Sequence, residues 1–455
     1  MLLTIVRQEL LDHIMSFRFS AIFVLTVALM VTSTLVSSVR HVWEVKEYPA
    51  YAAGLVESDG KVNLMMVACQ GGSVKQYPSA LSFCANVGES TLPNRVVMAV
   101  QGIQGLQRSA QPGDMFGGSG SLDWLFVVSV VLSFGAGLLT YKTISGERRD
   151  GTLSLILANP VPRGNVLLGK YLAALFALTS VFLVGVLTSV IALQLSGNIQ
   201  ITFDDWLKVA GFTGVSIVYL SSFVLAGMVC SVVARSPVLS AVAFLFFWTI
   251  VVFVVPNLGG ILASEFGKAP TPLQVHERAR GIPDQYSLSA GMGAAEMDAV
   301  KLRRESAREQ LVLGYLQELA GGVELAKNLT RVSPGSTYAY ASEDIVGAGT
   351  FRMMHFAENA VRFRQRLLQA IIDADKKDPR SEHRFVPWWC GGDHFSQQTV
   401  DIGEAKEFHD VPPTSGAGFA AAGLDILLLI VYNLIAFAVA FWRFIRQDVA
   451  VTPGV

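Results

Sequence analysis

The densest run of chemistry-bearing residues lies between 144 and 170. It reads Ile144-Ser145-Gly146-Glu147-Arg148-Arg149-Asp150-Gly151-Thr152-Leu153-Ser154-Leu155, then Asn159-Pro160-Val161-Pro162-Arg163 and, further on, Gly169-Lys170. Gly151-Thr152 marks a turn into a short apolar helix over 153–157, which Asn159-Pro160 stops. One chemistry this run could do is phosphate binding, because Gly164, Gly169 and Lys170 fall at the spacing GxxxxGK[ST]. Tyr171 stands where a Ser or Thr hydroxyl would meet magnesium, and Pro160-Val161-Pro162 precedes the run where a phosphate loop needs a buried strand. The spacing is therefore a coincidence, and no other stretch supplies a nucleotide site. The other chemistry is docking. A short apolar helix flanked by charge suits a groove on a partner protein, and it equally suits a well-behaved connecting loop; the residues alone support both.

The remaining candidates are isolated. Cys69, Cys84, Cys230 and Cys390 form no CxxC pair, which argues against a structural zinc site. Cys69 and Cys84 are close enough in sequence to close a short loop in an oxidising compartment, worth about 3 kcal/mol if formed, with two unpaired thiols as the alternative. Cys390 lies near Asp393 and His394, but three ligand types in one loop are usually not a metal site, and no metal is expected. Asp425 is the one acid inside an apolar run, with Asn433 deeper in the same run; together they make a candidate polar site at depth, or a helix-packing contact. There is no HExxH motif and no pair of carboxylates within the apolar runs, so an intramembrane enzyme or an ion-coupled carrier is disfavoured.

These residues must be positioned by elements suited to lipid. The chain has 455 residues, 52% hydrophobic and 16% charged, against about 25% charged in soluble domains. Its formal net charge of −1 and lack of a basic stripe exclude a nucleic-acid partner. Apolar runs at 19–39, 123–141, 171–193, 208–234, 237–262 and 420–442 each come near or exceed the roughly 20 residues that cross the hydrocarbon of a bilayer. Residues 1–18 are amphipathic, with Leu3, Val6, Leu10, Ile14 and Phe17 on one face, and read as an interfacial helix. Lys142, Arg148, Arg149, Arg163, Lys170, Arg235, Arg443 and Arg446 flank one set of span ends, and Asp204 and Asp205 the other. That bias places both termini, the 142–170 loop and the 443–455 tail in the cytoplasm.

Segments 40–122 and 263–419 then lie outside. The first carries strand-like pieces at 62–68 and 95–100. The second carries two helical patterns, 294–319 and 351–377, read as an antiparallel pair. Pro256-Asn257, followed by Gly259-Gly260, should kink the end of the fifth span. The fold class is all-α and polytopic: six transmembrane helices, an N-terminal interfacial helix and two folded extracytoplasmic insertions, the first with some strand and the second mainly helical.

The stretch 144–170 resembles the loop of the ABC-type-2 exporter permeases, whose pattern runs roughly S-G-E-[RK]-[ED]-x-G-T-L-x-L-L-L-x-x-P-[VI]-x-R and then G-K. Gly146, Glu147, Gly151, Thr152, Leu153, Pro160, Arg163, Gly169 and Lys170 match it. The long outer insertions are similar to those of gliding-motility permeases and of the permease of nitrous-oxide-reductase maturation. The resemblance implies a permease without catalytic activity of its own, exporting a substrate the sequence does not identify. It implies docking of the loop on a separate ATP-binding-cassette ATPase that holds the ATP and magnesium, and pairing with a second permease, identical or homologous. Glu147, Arg148, Arg149, Gly151, Thr152, Leu153, Leu155, Pro160 and Arg163 become the coupling residues. The large outer segments keep a second expectation open, a mechanotransmitter that passes force to its outer domains or an extracytoplasmic partner without moving a substrate.

Overall fold

The computed structural model describes residues 2–52, 61–70, 72–86, 92–99, 102–107, 122–158, 162–259, 277–278, 281–282, 293–383 and 395–446. Six of its helices are long and apolar enough to cross a membrane: Phe17–Tyr48, Trp124–Arg149, Arg163–Ser196, Phe203–Val233, Pro237–Gly259 and Ser415–Ile445. They are the six expected spans, most of them longer at one end or both. Local capping fixes several starts. Thr202 and Asp205 form a reciprocal capping box on the fourth span, Ser236 caps the fifth ahead of Pro237, and Thr414 caps the sixth. The fourth span is the most buried and the fifth and sixth the least. At its crossing with the second span, Gly227 leaves no room for a side chain: a Cβ there would lie 2.0 Å from Thr140 Oγ1.

Two spans contain a π-helical turn, Val127–Leu132 in the second and Ile250–Val254 in the fifth. A π turn skips one backbone acceptor. In the second span Ser133 N–H reaches past Ser129 O to Val128 O, and the freed Ser129 O accepts the Tyr219 hydroxyl at 3.0 Å. In the fifth, Val255 N–H bonds Ile250 O, and the freed Val251 O accepts Ser333 Oγ at 2.5 Å. Pro256, which has no N–H to give, follows directly, and Asn257 Nδ2 covers Phe253 O at 2.7 Å. The expected disturbance of the fifth span is thus a π turn ahead of the proline; Gly260 lies outside the described residues.

The end of the bundle opposite the 142–170 loop carries a folded domain. Besides the spans, the described residues include helices α1 (Leu2–Ile14), α2 (Leu64–Gln70), α3 (Ser145–Arg149), α4 (Thr152–Ala158), α5 (Ala294–Thr330), α6 (Pro334–Val346) and α7 (Gly349–Asp375). Strands β1 (Val62–Asn63) and β5 (Thr399–Val400) pair antiparallel, and β2 (Gly72–Lys75), β3 (Arg95–Ala99) and β4 (Gly102–Gln107) form a second antiparallel sheet. The stretch 62–68, expected as strand, turns helical after two residues because Asn63 Oδ1 accepts Met66 N–H and caps α2. The two insertions are not separate folds. Val62, Leu64, Val74 and Val96 share one core with Phe356, Phe363, Phe395 and Phe408. Arg352 pairs with Asp410, whose Oδ2 also accepts Tyr77 N–H at 2.8 Å. So few strand residues could not bury a core alone.

Helices α5 and α7 run in opposite senses and meet through Arg364 and Glu309, but the segment between them departs from expectation. Instead of standing clear of the spans, α6 packs among them. Tyr338 stacks on Tyr219 at 4.2 Å between centroids and bonds Ser216 Oγ at 2.8 Å. Tyr432, near the middle of the sixth span, donates to Arg331 O. The turn from α5 to α6 therefore lies level with the middle of the spans, a re-entrant hairpin. Its Ser333 hydroxyl meets the carbonyl that the π turn of the fifth span releases, which answers the demand that backbone polar groups in lipid find partners.

The disulfide expected between Cys69 and Cys84 is not formed. Cys84 is a free, fully buried thiol. Its turn clasps the start of the second span, with Trp124 N–H on Phe83 O and Leu125 N–H on Cys84 O, both 2.9 Å. The Cys69 side chain, and Cys390, Asp393 and His394, lie outside the described residues.

Candidate functional site

The 142–170 loop is held against the spans by its own backbone and by three charges. Ile144 N–H and Ser145 N–H both donate to Ser231 Oγ at 3.0 Å, which fixes the start of α3 to the end of the fourth span. Arg148 caps that end, donating to Val232 O at 3.0 Å and Ala234 O at 3.3 Å, carbonyls left free where the helix stops. Arg148 is thus engaged within the chain, whereas Arg149 is exposed and pairs with Asp150 at 3.0 Å. Gly151 then turns the chain at φ +76°, and Thr152 Oγ1 reaches back to Glu147 O at 3.3 Å. In α4, Leu153 is buried under the loop and Leu155 is 69% exposed. Pro160 lies outside the described residues. Arg163 Nη1 donates to Ile445 O at 2.9 Å and ties the far end of the loop to the end of the sixth span.

Beneath the loop sits a charge cluster. Lys170 Nζ, 2% exposed as a residue, donates to Glu147 Oε1 at 2.6 Å and to Glu9 Oε1 at 2.5 Å. One ammonium thereby joins α1, the start of the third span and α3. Both carboxylates keep about a fifth of their surface in solvent, 21% and 22%, although Glu147 Oε2 is buried with no donor among the described residues. Helix α1 can lie this close because residue 169 is glycine; a Cβ there would be 2.8 Å from Ile5 Cγ2. The sequence pointed to Glu147 and matched Lys170 to a pattern, and it missed Glu9. The overlooked signal was a lone acid on the face of α1 that carries Leu2, Ile5 and Val6, the half-buried face that packs on the third span, whereas Leu3 and Ile14 are exposed. Gly164, Gly169 and Lys170 all lie inside a continuous helix, so they form no phosphate-binding loop.

The candidate polar residues of the sixth span are engaged in packing. Asn433 Nδ2 donates to Ser222 Oγ at 2.8 Å and Val218 O at 3.0 Å, and its Oδ1 accepts Ser221 Oγ at 2.5 Å, which fastens the fourth span to the sixth. Asp425, fully buried, receives two bonds from Arg331: Nε to Oδ1 at 2.8 Å and Nη2 to Oδ2 at 3.1 Å. Arg331 also donates to Glu324 at 2.8 Å and to Asn328. Among the described residues no group of His, Cys, Asp and Glu could hold a metal ion.

On the turn of the 142–170 loop the Leu155 side chain is exposed, and the base of the turn is bonded to the ends of the third, fourth and sixth spans. No curated protein matches this sequence. The sequence model of a family described as ABC-2 family transporter protein matches residues 3–449, nearly the whole chain. The chain belongs to the ABC-2 transporter family, and is a multi-pass permease component of an ABC transporter.

Proposed function

We propose that the chain couples ATP hydrolysis in a separate cytoplasmic ATPase subunit to export of a substrate, working beside a second permease. The observation that carries this reading is the loop itself: Leu155 stands exposed on a helix whose base is bonded to three spans. An ATPase that grips α4 and changes shape would pull on the third, fourth and sixth spans together. Such a mechanism requires the permease to bind the two nucleotide states of the ATPase with different affinity. In this orientation the 142–170 loop and both termini face the cytoplasm of a prokaryotic inner membrane, and the folded domain faces out.

The test is association of purified permease with its ATP-binding subunit, with and without nucleotide. Leu155→Asp should weaken association about thirtyfold, the effect of losing a central contact of about 2 kcal/mol. Unchanged association would remove α4 as the docking element. A second reading, force transmission without cargo, is favoured by the single core of the outer domain and by Arg331, which binds that domain's hairpin to the sixth span. Nucleotide-dependent protease protection of the domain in vesicles, with no cargo moved, would favour it.

A further inference from the structure

A groove opens between the first, second and fifth spans in the half of the bundle nearest the 142–170 loop. It has two adjoining lobes of about 390 and 350 Å3 that share Arg18, Phe134 and Leu138. Its other walls include Ile22, Leu25, Leu245 and Trp248, a largely apolar surface. The two π turns border its inner end. Val130 and Val131 belong to one, and Trp248 sits just ahead of the other, with its indole N–H already given to Ser133 Oγ at 2.8 Å. Both π turns thus adjoin the groove, a placement common for such turns at functional sites.

One end of this lane is charged. Arg18 lies near the loop-side end of the first span, its guanidinium 5.1 Å from the Tyr141 ring centroid, with one long bond from Nη1 to Leu138 O at 3.4 Å. Among the described residues no carboxylate lies within 4.0 Å of it. A guanidinium has five N–H donors in a fork that matches phosphate. A hydrocarbon lane closed by such a cation is complementary to an amphiphile with an anionic head.

We propose that this groove holds an acyl chain of an anionic phospholipid from the loop-side leaflet, with the lipid phosphate on Arg18. The lipid is a resident component, and the inference rests on membrane embedding, independent of any cargo. A second copy of the chain is the competing occupant. A two-fold contact centred on the groove would bring Arg18 against its own copy, like charge on like charge in a poorly solvated place. The charge therefore selects a lipid.

The test uses delipidated full-length protein and native mass spectrometry with dioleoyl-phosphatidylglycerol or dioleoyl-phosphatidylcholine. Wild type should retain one phosphatidylglycerol per chain with about tenfold preference over phosphatidylcholine. Arg18→Gln should bring the two lipids to parity, and Arg18→Lys should keep part of the preference. Ala21→Trp, which fills the groove, should reduce both to background. Should that variant fail to fold, quenching by brominated-chain phosphatidylglycerol, read as wild type minus Trp248→Phe, reports the same chain and should fall in Arg18→Gln. Equal binding of both lipids by wild type, or an unchanged preference in Arg18→Gln, would overturn the proposal. So would efficient crosslinking of two chains through Ala21→Cys with no lipid retained.

Discussion

Two charge clusters sit at different heights in the same bundle, and they are built on opposite principles. At the loop end, Lys170 is a point charge on a flexible stem, shared between Glu9 and Glu147, each partly in water. Level with the middle of the spans, Arg331 is a planar fork fixed on a wholly buried Asp425 by two bonds, with Glu324 and Asn328 on its remaining donor. A shared ammonium can slide between two acceptors at little cost. A bidentate pair in low dielectric either holds or breaks. The loop end can therefore give, and the hairpin end holds.

The comparison breaks first, and hardest, at Arg331. Arg331→Ala leaves Asp425 buried and unpaired at depth and should destabilise the protein by about 3–5 kcal/mol. Thermal unfolding in detergent measures it. Replacing both partners, Arg331→Leu with Asp425→Leu, should recover most of the loss, because the desolvation cost leaves with the charges. A double variant as unstable as the single one would mean that the hairpin is held by something else.

A neighbouring acid sharpens the contrast. Glu343, on α6 and buried, is pushed up to about 7 by burial, with Lys327 pulling it part of the way back and Asp344 adding to the rise. Its ordinary value is 4.5, so the folded protein binds the proton more tightly than the unfolded chain. Stability from this group is complete below that value and is lost as pH rises towards 7, in total about 3 kcal/mol. Glu343→Gln should flatten the decline in unfolding temperature between pH 5 and 7. An unaltered pH profile would assign the decline to other groups.

The loop cluster should respond more gently. Lys170→Met leaves two carboxylates facing one another, but both reach solvent, so the loss should be about 2 kcal/mol, below that of a sealed pair. Adding Glu9→Gln should restore part of it, and a double-mutant cycle gives the coupling. If Lys170→Met costs as much as Arg331→Ala, the two clusters do not differ in the way their exposure implies.

The spans and the loop were legible in the sequence because each is written in local pattern: charge-free runs, a Gly-Thr turn and an Asn-Pro stop. What failed was set by one local cap and otherwise by contacts distant in sequence. Val62 to Ala68 has strand-like composition, yet one Asn63 cap makes a helix of most of it. The hairpin 331–346 reads as exposed because its polar residues, among them Ser333 and Arg331, find partners on the fifth and sixth spans. Arg148 looked available to a partner until the end of the fourth span took its donors. Glu9 was hidden by the weakness of the amphipathic pattern in α1, where one half-buried acid resembles noise.

Two glycines of the loop motif separate conformation from packing, and give the smallest effect. Gly169 is glycine for space, since Ile5 occupies the position a side chain would take. Gly151 is glycine for backbone angle alone: its φ is +76° and no atom lies within 4 Å of an added Cβ. Gly151→Ala should therefore cost only about 1 kcal/mol, the strain of a left-handed residue, and Gly151→Asn less. Because the turn is at the surface, that strain should appear as slower exchange of α4 into its docked geometry and as weaker ATPase stimulation, with the unfolding temperature almost unchanged. If Gly151→Ala instead lowers the unfolding temperature as much as Lys170→Met, the turn is part of the stable base, and the boundary between the part that gives and the part that holds moves out to α4 itself.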